Sequence, residues 1–353
     1  MKRWIAAIVA SLVVATPATA EAEAPYGFLG MSAENVSWDA GAEQNKQLSQ
    51  MRAHGVTELR QIIRWSYIEP VQDQLYWDLT DNIILNAARN NIRVLPIIGG
   101  ETSWATSRPV GDTRNCLFPP RDNGDFANFI RLVVNRYGPT GTLWEQNPEF
   151  VDYALTRWQI WNEANTDTFW ACDRSPKAYT QLSKVTANAI HEVDPGAFII
   201  STGAPNKHGG DFLRKMVKNG AKSVFNAIAL HPYKKDGDAV LKELKQARSL
   251  MNDLGLKKWK IRVTEFGWAT SGPPDKEHTT DEARQARLIK NTITKVTAQR
   301  EKLKVTGMTY YQWRDVDPGG GHDYWGLHTG IQRKNGTAKP ALAALGEAAR
   351  SIK

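Results

Sequence analysis

Residues 157–165 read Arg157-Trp158-Gln159-Ile160-Trp161-Asn162-Glu163-Ala164-Asn165. The first part is a short, near-continuous apolar run, the pattern of a parallel strand buried on both faces. It ends on an amide and a carboxylate. A second stretch, Ile261-Arg262-Val263-Thr264-Glu265-Phe266-Gly267-Trp268, repeats the arrangement. Working outward from these two (157–162 and 261–266), similar runs fall at 27–32, 59–65, 93–99, 198–203, 227–232 and 307–313. That makes eight strands.

Helical patterns fill the intervals. Ser175-Pro176 reads as an N-cap followed by proline at the first helical position, and the helix it opens stops before Asp194-Pro195. Thr279 with Glu282 reads as a capping box, and Asp78 as the cap of a helix whose stripe is Ile83, Ile84, Ala87 and Ala88. Strand and helix alternating eight times imply α/β architecture, a single (β/α)8 TIM barrel. An open doubly wound sheet would want a glycine-rich phosphate loop after the first strand, and Gly27-Phe28-Leu29-Gly30-Met31 lacks that spacing. No linker-like segment divides the chain, so residues 21–353 read as one domain.

In such barrels the chemistry sits at the C-terminal ends of the strands. Glu163 and Glu265 are each delivered to that face. A carboxylate ending an apolar strand costs several kcal/mol unless it is paired or used. Two facing carboxylates are the minimal equipment for cleaving a glycosidic bond: one protonates the departing oxygen, the other attacks or stabilises the anomeric carbon. Around them fall Arg60 and Trp65 on the second strand, His231 and Tyr233 at the end of the sixth, and Trp313 at the end of the eighth. An arginine beside a carboxylate keeps it ionised, and a tyrosine hydroxyl can hydrogen-bond the same group.

These motifs resemble clan A of the glycoside hydrolases, and within it family 39 and its polysaccharide-cleaving relatives. The resemblance rests on Leu59-Arg60, Trp65 with Ile68-Glu69-Pro70, Trp161-Asn162-Glu163, His231-Pro232-Tyr233, Thr264-Glu265-Phe266-Gly267 and Trp313. Softer support comes from Thr102-Ser103-Trp104 and Phe169-Trp170. The resemblance implies a retaining enzyme with Glu163 as general acid/base, its pKa raised, and Glu265 as nucleophile. It implies that Asn162 holds a sugar hydroxyl, that Arg60 and Tyr233 orient Glu265, and that His231 sits close to the acid/base. Trp313 would floor the subsite of the cleaved sugar, with Trp65, Trp104 and Trp170 also touching substrate. Neither metal nor cofactor is needed. One departure is Gly99-Gly100, where clan relatives place a polar residue; Glu101 is the candidate substitute.

Thirteen tryptophans is a high count for 353 residues. Trp104, Trp170, Trp268, Trp313 and Trp325 all fall at or beyond strand ends, where flat rings would bind several sugars in a row. That favours an endoglycosidase acting on a polysaccharide over an exo-acting β-xylosidase-like enzyme. Arg108, Arg114, Arg121, Arg174 and Arg314 in the same loops, with a formal charge of +8, suit an anionic chain. The basic residues are scattered rather than in runs, so no nucleic-acid patch is read. A catalytically dead, sugar-binding barrel would show damage at Glu163 or Glu265, and both are intact. A metal-dependent hydrolase would need a His/Asp cluster at the strand ends, and of seven histidines only His231 clearly ends a strand.

Residues 1–20 read as a secretory signal: Lys2 and Arg3, an apolar core from Ile5 to Val14, then Ala18-Thr19-Ala20. No other stretch is long and apolar enough to span a bilayer. The expectation is an exported monomer, in whose oxidising route Cys116 and Cys172 would pair.

Overall fold

Eight parallel strands close in chain order: β1 (Leu29–Ser32), β2 (Glu58–Arg64), β3 (Arg93–Gly99), β4 (Arg157–Ile160), β5 (Phe198–Pro205), β6 (Ala227–His231), β7 (Lys260–Phe266) and β8 (Val305–Tyr311). The final pairing of β8 with β1 completes the barrel. The structure is a computed structural model that describes residues 25–170 and 174–352. The leader at 1–20 and Cys172 lie outside the described residues; Cys116 is buried.

A long helix follows every strand: α1 (Gly41–Ala53), α2 (Asp78–Arg89), α3 (Asn123–Tyr137), α4 (Pro176–Val193), α5 (Asn206–Lys218), α6 (Gly237–Asp253), α7 (Glu282–Thr297) and α8 (Pro340–Ser351). The apolar stripe of each turns inward, as Phe126, Phe129, Ile130 and Val133 do on α3, and fills the layer between helices and strands. None of the described helices is long and apolar enough to cross a membrane.

The helix starts correct two expectations. Ser175 does cap α4, its hydroxyl accepting the Ala178 N–H at 3.2 Å with Pro176 in the first turn. At α7, however, Asp281 is the cap, accepting from the Arg284 N–H at 2.7 Å, while Thr279 Oγ1 accepts the Asp275 N–H one turn earlier. A carboxylate one residue before Glu282 captures the free amides better than a hydroxyl three residues back. Asp78 is the first helical residue of α2, not its cap; with Asp81 it sets negative charge at the positive end of the helix dipole.

The barrel interior is layered. At its lower end Glu58 of β2 and Arg262 of β7 form a buried ion pair. A Cβ on Gly307 would sit 2.3 Å from that guanidinium, so the glycine makes room for it. Leu95, Ile200, Ala227 and Ala229 form a small apolar cluster between strands. Above it the strands end in polar side chains.

Candidate active site

β4 stops at Ile160 because the chain leaves the ladder abruptly. Trp161 and Glu163 adopt positive φ, 63° and 43°, a region that non-glycine residues enter at a cost of roughly 1–3 kcal/mol. The surroundings hold the turn: the Trp161 N–H donates to Ile98 O at 2.8 Å, its indole N–H to Phe169 O at 2.6 Å, and the Ala164 N–H to Thr202 Oγ1 at 2.8 Å. The strained turn lifts Asn162 and Glu163 into the cleft. On β7 the register against β8 slips between Val263 and Phe266, a bulge that re-aims Glu265 toward the same cleft.

Glu265 is surrounded by donors. Arg60 Nη1 donates to its Oε1 at 2.7 Å, and Tyr233 Oη to its Oε2 at 2.7 Å. Arg60 is itself fixed, Nε donating to Gln159 at 3.1 Å and Nη2 to Asn162 Oδ1 at 2.8 Å. Burial alone would push the Glu265 carboxyl up, but the charges of His231 and Arg60 and the bonds from Tyr233 and Arg60 outweigh it and hold the group below its usual range. Burial, and then the Glu265 charge, push the Tyr233 phenol well above its usual value, so it stays a donor. Because Arg60 occupies the Asn162 carbonyl, the amide nitrogen is left to donate elsewhere at the cleft wall.

Glu163 has a sparser setting. His231 Nδ1 lies 2.5 Å from its Oε1 and 3.5 Å from Glu265 Oε2, while Nε2 meets the Thr264 hydroxyl at 3.0 Å. Nδ1 thus faces both carboxylates while Nε2 is held at the Thr264 hydroxyl. Gly203 permits this, since a Cβ there would fall 2.2 Å from His231 Nε2.

Oxygens of Glu163 and Glu265 and a nitrogen of His231 lie within 4.8 Å of one another, the one grouping among the described residues whose donors could converge on a metal ion. The chemistry fits a hydrogen-bonded network better. The contact between His231 and Glu163 is shorter than the spacing of two ligands on one ion, each roughly 2 Å from the metal. The Arg60 guanidinium already balances the charge of Glu265.

The cleft above these groups has a volume of about 330 Å³. Trp161, Phe169, Leu117, Tyr311, Tyr324 and Trp325 form much of its wall, with Glu34 and Arg64 at one side. Of the residues singled out in the sequence, Arg60, Asn162, Glu163, His231, Tyr233 and Glu265 converge here. Five tryptophans do not. Trp313 is fully buried and donates its indole N–H to Gln47 of α1 at 2.7 Å, so it cannot floor a subsite. Trp65 is buried against Trp104, Phe126 and Phe129, its N–H on Glu69. Trp104 donates to Glu69 O, and Trp170 is buried between Trp161 and Tyr179. Trp268 likewise turns inward, donating to Lys234 O. These rings clamp the loops beneath the cleft.

Glu101 does not replace the missing polar residue after β3. Arg108 grips it at 2.7 and 2.8 Å, and the Phe118 N–H donates to it at 3.0 Å. Gly99 is where it is because a Cβ would meet the Trp161 ring at 3.0 Å. The loop arginines are also spoken for: Arg108 by Glu101, Arg114 by Asp112, Arg174 by Asp167 and Arg314 by Asp39. None of these lines the cleft, and nor does Arg121, which donates to Thr106 O. Sequence reasoning gives no mark to Arg64, Tyr324 or Gln159. The parity of Arg60 and Arg64 on one strand was the signal available for the first.

Residues 143–324 match the family model of the glycosyl hydrolase catalytic core. No curated protein matches the chain in sequence. Among solved structures, a family 39 glycoside hydrolase from the gut symbiont Bacteroides cellulosilyticus WH2 is similar over 94% of this chain and 64% of its own, with 19% identity and a TM-score of 0.71. A monomeric β-xylosidase from Caulobacter crescentus CB15 is similar over 92% of this chain and 68% of its own, at 18% identity and a TM-score of 0.69. The family 39 enzyme from Xanthomonas axonopodis pv. citri is similar over 91% and 65%, at 17% identity and a TM-score of 0.68. The chain thus spans about two thirds of the length of these structures.

Proposed function

We propose, from the premise that this chain belongs to the glycosyl hydrolase catalytic core family, that it is a retaining glycoside hydrolase with Glu265 as nucleophile and Glu163 as acid/base. The observation that carries this reading is the pair itself: carboxylate oxygens within 4.8 Å, in unlike surroundings. Retaining enzymes hold their two carboxyl groups roughly 5–5.5 Å apart, whereas inverting enzymes need about 6.5–9.5 Å to admit a water.

The residues divide the work. Glu265, kept ionised by Arg60 and Tyr233, attacks the anomeric carbon as Glu163 gives its proton to the departing glycosidic oxygen. The C–O bond breaks and an ester to Glu265 forms. Glu163, now a carboxylate steadied by His231, takes a proton from water, whose oxygen displaces Glu265 and restores both groups. Asn162 holds a hydroxyl of the reacting sugar throughout.

The reading of the substrate is a polysaccharide cut internally by an exported enzyme. The cleft supports this by continuing past the reacting centre toward Glu34 and Arg64. A second reading, an exo-acting β-xylosidase-like enzyme, is favoured by the modest volume of about 330 Å³, at the small end of the roughly 300–1,000 Å³ of ligand pockets. Incubation with a glycan panel and sizing of early products decides between them. A fast fall in viscosity with oligosaccharide products supports internal cutting; monosaccharide alone, at unchanged viscosity, overturns it. Release of the axial or equatorial anomer, followed by NMR, tests retention.

A further inference from the structure

Large apolar side chains seldom stand open on a folded surface without a use when they cluster. Trp38 is 63% exposed and Tyr67 43% exposed, and they meet edge to face with ring centroids 5.4 Å apart at 76°. Both belong to the catalytic face: Trp38 ends the 3-10 turn Glu34–Trp38 that follows β1, and Tyr67 lies in the short helix Trp65–Ile68 that follows β2. The Arg64 guanidinium sits 5.6 Å from the Tyr67 ring.

These rings border a small hollow of about 60 Å³ whose wall includes Glu34, Ile62 and Arg64. The same three residues line the catalytic cleft. The two hollows therefore share a wall, and a chain leaving the cleft over Glu34 and Arg64 arrives at the aromatic corner. Glu34 and Arg64 contact each other only at 3.5 Å and remain partly open, 45% and 32% exposed at their side chains, so both keep hydrogen-bonding capacity for hydroxyls.

From this juxtaposition we infer that Trp38 and Tyr67 form a remote sugar subsite, which takes a further pyranose ring of the same glycan that occupies the cleft. One ring stacks under the C–H face of the sugar and the other bounds it edge-on, while Glu34 and Arg64 hold hydroxyls of the residue between. The amphipathic sugar suits such a corner because an aromatic face accepts its apolar side while its hydroxyls stay in water. The inference deepens the glycosidase reading and rests on it for the identity of the ligand class.

The test separates binding from turnover. Xylo-, cello- and manno-oligosaccharides of two to six sugars are titrated calorimetrically into Glu265→Gln protein, with and without Trp38→Ala or Tyr67→Ala. The result expected is affinity that rises with chain length in the parent, and a loss of roughly five- to tenfold for the longest ligands when Trp38 is removed. Tyr76→Ala, an exposed aromatic that lines neither hollow, serves as the control and keeps the length dependence. Affinity independent of length in the parent, unchanged affinity in Trp38→Ala, or no binding by any of the ligands would overturn the subsite. The glycosidase reading fails separately, when the wild-type protein binds these sugars and hydrolyses no glycoside.

Discussion

Strands β2 and β7 meet twice inside this barrel, with the charges exchanged. At the lower end β2 supplies the acid, Glu58, and β7 the base, Arg262; at the upper end β2 supplies the base, Arg60, and β7 the acid, Glu265. Both pairs are buried. The lower pair is tied into the barrel floor: Arg262 also donates to Thr306 O at 2.7 Å, and Glu58 faces a second arginine, Arg157, at 3.5 Å. The upper pair carries further donors, Tyr233 and His231, and faces the cleft beside a second carboxylate. Ionic chemistry alone therefore does not make a site. What distinguishes the upper pair is that its anion lines the cleft beside a second carboxylate.

The largest expected effects separate the two ends. Glu265→Gln should lower kcat by at least about 10⁴-fold, as loss of a nucleophile does, with the folded state retained. Glu58→Gln should do the reverse. It strands Arg262 in the interior and should destabilise the fold by about 3–5 kcal/mol, while activity of the remaining folded protein changes little. Denaturant unfolding and kcat, measured on both variants, check this; a catalytic loss in Glu58→Gln at full stability would erase the distinction.

The next effect sharpens the asymmetry within the upper end. Replacing Glu163 by Ala should cost about 10²–10⁴-fold on glycosides with poor leaving groups and far less on activated aryl glycosides, which leave without a proton. A series of leaving groups measures the slope. Equal losses across the series would assign Glu163 a different role.

Smaller again is the expected bridge between Cys116 and Cys172, which would tie the loops after β3 and β4 and add about 2–4 kcal/mol. Alkylation of the unreduced protein should detect no thiol, and Cys116→Ser should lower Tm. Labelling of both cysteines in the native protein would remove the bridge.

The contrast between the two ends also explains what was legible in the sequence. The strands and their order follow from the repeated apolar runs, and Asn162, Glu163, His231 and Glu265 from a simple rule: a charged or polar side chain at the end of an apolar run has been put there by the fold. Arg60 and Tyr233 do not end a run, and the family resemblance is what marks them. No such rule sorts tryptophans. Trp313 and Trp325 occupy comparable places after β8, yet one donates to Gln47 in the interior and the other lines the cleft. The partner that captures the indole N–H is distant in sequence. The loop arginines were unreadable for the same reason, since Arg314 finds Asp39 on the neighbouring loop after β1, far away in sequence. Trp38 is the converse, an aromatic with no motif around it whose exposure only the fold reveals.

The smallest effect tests how the upper anion is held. Burial raises the Glu265 carboxyl, and His231, Arg60 and Tyr233 together more than reverse that, so its folded pKa lies below the ordinary glutamate value. Only ionised Glu265 can attack, and the acid limb of kcat/KM should therefore fall below the usual glutamate range. Tyr233→Phe removes one hydrogen bond donated to the ionised form and leaves Arg60 in place. The folded pKa should rise, and the acid limb should move toward neutral pH. Stability follows the same sign. A depressed folded pKa contributes stabilisation that is fully present above the unfolded glutamate pKa and is lost as pH falls through the folded value. The variant should lose part of that contribution, and the loss should set in at higher pH than in the wild type. An acid limb that stays in place while Tm drops would mean that Tyr233 only packs against Trp325, 4.8 Å away, and does not hold the anion.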